Sequence, residues 1–218
     1  VNTMTTKVDI CNNALDLIGQ GIHIKSFDDQ TKEADLCRRN YQQIVDRCLT
    51  KFNFSFARKD ELITNSYLVS DVVSIPYKYT YKIPSDVMNI LYLERYSKSK
   101  DETINNKDTI KFNFRVVKIN NVPTRCIVTN IEAPFVIQYQ AFIDDPNLFS
   151  VQFTEAVEYM LGARLASALI HGSTGLNTSN NLMQNALMLL QLAIGQDNQQ
   201  GADSIQDNAI PEFISARF

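Results

Sequence analysis

The residues that could do chemistry are few, and their spacing keeps them apart. Glu155 and Glu158 share one face of an expected helix and are the nearest thing to an acid–base pair. Paired carboxylates one turn apart at a helix start ordinarily complement the helix dipole instead of flanking a substrate. His23 and His171 fall in different regions, and neither has Cys, Asp or Glu at metal-ligand spacing. Gly172-Ser173-Thr174-Gly175 has the form of no phosphate loop or dinucleotide fingerprint, and the chain has no G-x-S-x-G. Those four residues read as a helix–helix turn. Tyr77, Tyr79 and Tyr81 alternate and could stack on bases or sugars, but no basic groove accompanies them, so cross-strand packing is expected. No catalytic residue, no metal site and no cofactor is expected.

Composition narrows the classes further. The chain has 218 residues, 24 acidic against 21 basic, and a net charge of −3. Phosphate neutralisation needs clustered Lys and Arg. The densest basic spots, Arg38-Arg39, Arg58-Lys59 and residues 98–100, each have acidic neighbours. A hydrophobic content of 44% suits a globular protein with a sizeable core. No stretch approaches the ~18 consecutive apolar residues of a membrane helix. Val1-Asn2-Thr3-Met4-Thr5-Thr6 lacks the basic-then-apolar form of a secretory signal. Cys11, Cys37, Cys48 and Cys126 form no C-x-x-C and no secreted-type framework, so reduced core thiols in a cytosolic setting are expected.

The elements that position these residues are legible in the hydrophobic period. Thr6-Lys7-Val8-Asp9 resembles a capping box, and Cys11, Ala14, Leu15 and Ile18 follow on one helix face, ended by Gly19-Gln20-Gly21. Asp28-Asp29 suits the N-terminus of a second helix. There Ala34, Cys37, Tyr41, Ile44, Cys48 and Phe52 step by three or four. About 22 residues without Gly or Pro would make roughly 33 Å of rod. From Phe52-Asn53-Phe54-Ser55-Phe56-Ala57 onward the period becomes that of strands. Strands are expected over Tyr77 to Ile83, Ile90 to Leu93, 110–119, 126–129 and 135–139, with Asn, Lys, Asp and Pro clusters between them.

Asp144-Asp145-Pro146-Asn147 returns the chain to helix. Phe153, Ala156, Val157, Met160, Leu161, Leu165, Ala168 and Leu169 give a third helix a wide apolar face, and Gly162, Ala163, Ala166 and Ser167 would allow close approach. A fourth helix is expected near Asn180, with Met183, Ala186, Leu187, Leu190 and Ile194 on one side. Residues 196–208 are rich in Gln, Asn, Asp and Gly and read as a tether. The chain then turns apolar again at Ile210-Pro211-Glu212-Phe213-Ile214-Ser215-Ala216-Arg217-Phe218. That peptide either folds back onto its own subunit or docks on a partner.

The expected fold is therefore α+β. A four-helix bundle is formed by the N- and C-terminal helix pairs (residues 1–55 with 150–197), with an inserted antiparallel β domain (56–149) and an extended C-terminal arm (198–218). The bundle core would comprise Cys11, Leu15, Ile18, Cys37, Tyr41, Ile44, Cys48, Val157, Met160, Leu161, Leu165, Leu187 and Leu190. The arm would dock through Ile210, Pro211, Phe213, Ile214, Arg217 and Phe218.

Several runs, in order, resemble the tail tubular protein A family of tailed phages. They are Ala14-Leu15-Asp16-Leu17-Ile18-Gly19, Ile24-Lys25-Ser26-Phe27-Asp28-Asp29, Ala34-x-x-Cys37-x-x-x-Tyr41 and Asp46-x-x-Leu49-x-x-Phe52-Asn53-Phe54-x-Phe56-Ala57. Ile83-Pro84-Ser85-Asp86-Val87 is similar to the family's step into its β domain. Ile137-x-Tyr139, Asp144-Asp145-Pro146 and Phe149-x-x-x-Phe153-x-x-Ala156 are similar to its return to helix. Phe52, where relatives commonly carry Trp, and the Asn/Lys-rich stretch 98–107 depart from the pattern. The resemblance implies a head-to-tail adaptor (connector or ring protein) of a short-tailed phage. As a structural protein of the virion, made in the host cytoplasm, it would form a twelve-copy ring under the portal protein and carry the downstream nozzle or tubular protein. Duplex DNA would pass through the lumen without specific binding during genome ejection, and no membrane would be involved. Two alternatives are a head-completion protein with cell-wall (muralytic) hydrolase activity and a DNA-binding module.

Overall fold

The computed structural model describes residues 5–64, 77–95, 110–119 and 121–200. Those residues mix helix and sheet, with four α-helices and two three-stranded antiparallel sheets. The chain divides into two compact units, one of Val1–Phe56 with Asp144–Phe218 and one of Ala57–Ile143.

In the helical unit, α1 (Lys7–Asp16) begins where both halves of a capping box close. The Thr6 hydroxyl oxygen accepts from the Asp9 amide at 3.1 Å, and the Asp9 carboxylate accepts from the Thr6 amide at 2.9 Å. Those bonds from Thr6 hold the Asp9 carboxyl below its usual range. The helix ends ahead of Gly19, whose φ of +72° an L side chain would resist. α2 (Lys32–Leu49) is capped by Thr31, whose hydroxyl oxygen accepts from the Ala34 amide at 3.2 Å. Asp29 serves elsewhere. Its carboxylate accepts from the amides of Lys25 and Ser26 at 2.7 and 3.3 Å and closes the preceding loop. α2 has 18 residues, so Phe52, expected on its stripe, lies beyond its end.

α3 (Val151–Leu169) starts at Ser150, which accepts from the Phe153 amide at 3.3 Å. It packs against α1, α2 and the last helix, and is accordingly buried on most sides. α3 passes close to α1 at Gly162, where a Cβ would stand 3.2 Å from the Ala14 carbonyl oxygen. α4 (Gly172–Gln200) differs from expectation at both ends. The chain reverses at Ile170 and His171, so Gly172-Ser173-Thr174-Gly175 belongs to the first turn of α4 rather than to a break before it. Gly175 is required there: a Cβ would meet the Ile170 carbonyl oxygen at 2.2 Å. At the other end residues 196–200 are helical, and Asp197 accepts from the Ser55 amide at 2.7 Å and from its hydroxyl. Only residues 201–208 of the expected tether lie outside the described residues.

In the strand unit, β1 (Arg58–Ile63) pairs with β6 (Phe135–Ala141), which pairs with β3 (Val87–Arg95), giving the sheet order β1-β6-β3. β2 (Tyr79–Lys82), β5 (Val122–Thr129) and β4 (Phe112–Ile119) form the second sheet, in the order β2-β5-β4. β4 and β5 form a hairpin, and Asn121 takes the left-handed φ of +62° that its turn needs. Tyr81 is fully buried, with its ring edge-on to Phe135 at a centroid distance of 4.8 Å. Its hydroxyl donates to the Ile131 carbonyl at 3.0 Å and accepts from the Ala133 amide at 2.8 Å, which pins the β5–β6 connection. Tyr81 therefore packs, and offers no face for a base or sugar.

Candidate functional site

The chemistry-bearing residues singled out from sequence are dispersed. Glu158 on α3 is half-buried and accepts from the Asn13 amide nitrogen on α1 at 2.7 Å. Burial pushes its carboxyl above the usual range, Asn13 offsets this in part, and Glu155 adds to it. The pair braces α1 against α3. His23 is exposed, with Nε2 2.7 Å from Asp16 Oδ1, and His171 is exposed at the α3–α4 corner. Among the described residues no three His, Cys, Asp or Glu side chains are grouped to hold a metal. All four cysteines are free and buried. The Cys11 and Cys37 thiols hydrogen-bond to each other across α1 and α2, and burial pushes Cys48 up to about 12. The Tyr41 hydroxyl is buried and has no hydrogen-bond partner among the described residues, and burial raises its phenol.

One polar constellation does assemble, in the strand unit. The register sets Lys59 on β1 opposite Tyr139 on β6. The two-residue period of a strand places Glu61 on the same face. Asp86, in the turn before β3, completes the group. The Tyr139 hydroxyl is 3.2 Å from Asp86 Oδ1 and 3.4 Å from Glu61 Oε2, and the Lys59 ammonium bonds Asp86 Oδ2. A phenol has one proton, so it can donate to only one of the two carboxylates at a time. Burial first, then Asp86 and Glu61, drive the Tyr139 phenol well above its ordinary value. Burial alone would raise the Asp86 carboxyl, but the Lys59 ammonium and the Tyr139 hydroxyl overcome it and hold it below the usual range.

Beside this group lies a cleft of about 360 Å³ lined by Glu61, Leu62, Ile63, Thr64, Lys82, Ile83, Pro84 and Ser85. General acid catalysis needs a carboxyl kept protonated near neutral pH. Asp86 is held in the opposite state. The arrangement ties β1 to the turn ahead of β3 as a polar brace, with Asp86 ionised and bonded to both Lys59 and Tyr139. Sequence reasoning missed it because β1 was not expected as a strand, so nothing placed Lys59 and Glu61 against Tyr139.

Twelve of the thirteen expected core residues are buried: Cys11, Leu15, Ile18, Cys37, Tyr41, Ile44, Cys48, Val157, Met160, Leu161, Leu165 and Leu190. Leu187 is the correction, at 39% exposure. The buried line of α4 runs through Leu182, Ala186, Leu190 and Ala193 and leaves Leu187 at its margin. The proposed docking residues Ile210, Pro211, Phe213, Ile214, Arg217 and Phe218 lie outside the described residues.

A surface feature was also missed. α4 carries a single charge among its 29 residues, Asp197, and that one is bound to Ser55. Its outer side shows Met188 and Leu192 at 62% and 60% exposure among Asn and Gln. The signal was present in the sequence as an absence of Lys, Arg and Glu over residues 172–200.

Among the described residues no helix is long and apolar enough to cross a membrane. No protein-family model matches the sequence, and no match among curated proteins was found.

Proposed function

We propose that this chain is a structural head-to-tail adaptor of a tailed phage, a ring component that docks under a portal and carries the next tail protein. The observation that supports it is the interleaving of the two units. The helical unit is built from both ends of the chain, and the strand unit occupies the middle. Both crossing points carry the aromatic runs on which the family resemblance rests. Phe54 and Phe56 on the way out meet Phe149 and Phe153 on the return. In this proposal α1 to α4 act as one four-helix bundle, closed copies form a twelve-membered ring, and residues 210–218 form an arm that engages the portal or a neighbouring copy.

The polar brace at Tyr139 supports the structural reading over a hydrolase, since the Tyr139 phenol lies against both of its carboxylates and the Lys59 ammonium bonds one of them. The net charge of −3 supports passage of duplex DNA without specific binding.

Native mass spectrometry of the protein mixed with its portal tests the proposal. With twelve copies of a 24.8 kDa chain, a ring of about 300 kDa is expected on the portal and little association without it. A stable dimer indifferent to portal overturns it.

A further inference from the structure

We propose that residues 210–218 fold back onto the outer face of the chain's own α4, along the line Asn181, Asn185, Met188 and Leu192. This goes beyond the adaptor reading, which concerns where the arm goes in an assembly, and it holds or fails for the isolated chain.

The face has the composition of a covered surface. Asn181, Asn185, Met188 and Leu192 recur at i, i+4, i+7 and i+11, one line of a helix, turned away from the buried line through Leu182, Ala186 and Leu190. No charged residue of α4 lies along it, and the helix's lone charge, Asp197, bonds Ser55 instead. α2 shows that the same unit does use charge where a helix meets water, with Lys32, Glu33, Asp35, Arg38, Arg39 and Arg47. Charge depletion with exposed Met is the mark of an interface centre. The Asn181 and Asn185 amides can serve the backbone of a docked peptide.

The occupant follows from chain length and charge. Nine residues, 201–209, stand between Gln200 and Ile210. A coil of that length spans about 17 Å. Leu192 and Met188 lie about 12 and 18 Å back along the axis from Gln200, at 1.5 Å per residue. The reach therefore matches the chain's own face. Ile210, Phe213, Ile214 and Phe218 recur at i, i+3, i+4 and i+8, a helical spacing that gathers four large apolar groups on one side. The side-chain charges of Glu212 and Arg217 cancel, and the α4 line they would meet carries no charged side chain of its own. Tethering gives an effective concentration in the millimolar range. A docking constant several-fold below that would slow solvent attack on the face about fivefold.

Peroxide oxidation of Met188, followed by peptide mass spectrometry, reads this directly. Met188 should form sulfoxide about fivefold more slowly in the full chain than in a chain ending at Gln200. The protection should be independent of protein concentration, at monomer mass. Phe213→Asp with Phe218→Asp in the full-length chain should restore the fast rate. Met160, buried in the core, should stay slow in every version and reports that each is folded. Equal Met188 rates with and without the segment overturn the proposal. So does protection that grows with concentration at doubled mass, which assigns the face to a second copy, and so does protection that survives the Asp substitutions.

Discussion

The ring of Phe153 stands edge-on to that of Phe54, with centroids 4.9 Å apart and both side chains fully buried. Phe54 lies just before the chain leaves the helical unit, and Phe153 lies in the first turn of α3 just after the chain returns. Phe56 and Phe149 pack on the same ring at 5.1 and 5.0 Å. A contact between residues 99 positions apart thus joins the two halves of a unit that the sequence interrupts.

Phe153→Ala is expected to destabilise the helical unit by about 3–5 kcal/mol, through lost burial and the cavity left among three rings. Phe54→Ala should fall in the same range. The double variant should be milder than the sum by about 0.5–1.5 kcal/mol, the part of the effect that belongs to the ring pair. Denaturant titration of the four chains measures it. Strict additivity would mean that the two rings do not stabilise each other.

Three glycines order themselves by what a methyl group would meet. Gly175→Ala forces a Cβ to 2.2 Å from the Ile170 carbonyl oxygen, so the α3–α4 corner must shift. A loss of about 1–3 kcal/mol is expected. Gly162→Ala meets the Ala14 carbonyl oxygen at 3.2 Å and should cost less. Gly195, inside α4, has nothing within 4 Å of its Cβ position. Its change to Ala should stabilise by about 0.5–1 kcal/mol through helix propensity. Melting temperatures should rank Gly195→Ala above wild type, then Gly162→Ala, then Gly175→Ala.

Asp86 and Glu158 should respond to pH with opposite signs. The folded Asp86 carboxyl lies below its ordinary value, so its contribution is present above the unfolded value near ~3.9 and is lost as pH falls through the folded value. Asp86→Asn should therefore lower stability at neutral pH, with the gap to wild type closing in acid. Glu158 lies above its ordinary value, so its stabilising effect is complete below the unfolded value near ~4.3 and is lost as pH rises through the folded one. Glu158→Gln should raise the melting temperature at pH 7, keep the Asn13 contact, and lose its advantage below about pH 4. Melting curves from pH 3 to 8 check both.

What could be read from the sequence was what repeats with a helical period or has a local cap. The Thr6–Asp9 box, the α2 stripe and the apolar α3 face are each decided within a few residues. β1 was not legible, because Arg58-Lys59-Asp60-Glu61-Leu62-Ile63 leaves all but Arg58 and Ile63 exposed and is held by backbone pairing to β6. Its strand state is a fact about its partner. The start of α4 was hidden for a related reason: Gly172-Ser173-Thr174-Gly175 spells a break locally, while Gly175 is there for closeness to Ile170. Residues 196–200 read as tether because they lack apolar spacing, and their anchor, Ser55, is 142 positions from Asp197.

Leu161 and Leu187 separate these two kinds of inference experimentally. Leu161 is fully buried on α3, and Leu161→Asp should cost several kcal/mol by placing an unpaired charge among apolar groups. Leu187, at the margin of the buried line, should accept Asp with a loss of about 1 kcal/mol or less. Comparable losses at both sites would place Leu187 back in the core.

The hydrolase alternative can be tested at the carboxylates beside the cleft, Glu61 and Asp86. A glycosidase of either stereochemistry needs one carboxyl protonated and a sugar ring between the two. Here the Tyr139 phenol lies within 3.4 Å of both carboxylates, and Lys59 keeps Asp86 ionised. A substrate would have to displace the phenol and strip the lysine before proton transfer could begin. Purified protein run on a peptidoglycan zymogram is therefore expected to leave no clearing, and Glu61→Gln and Asp86→Asn should look identical to wild type. Clearing by the wild-type chain that both substitutions abolish would make the brace an active site and displace the adaptor proposal.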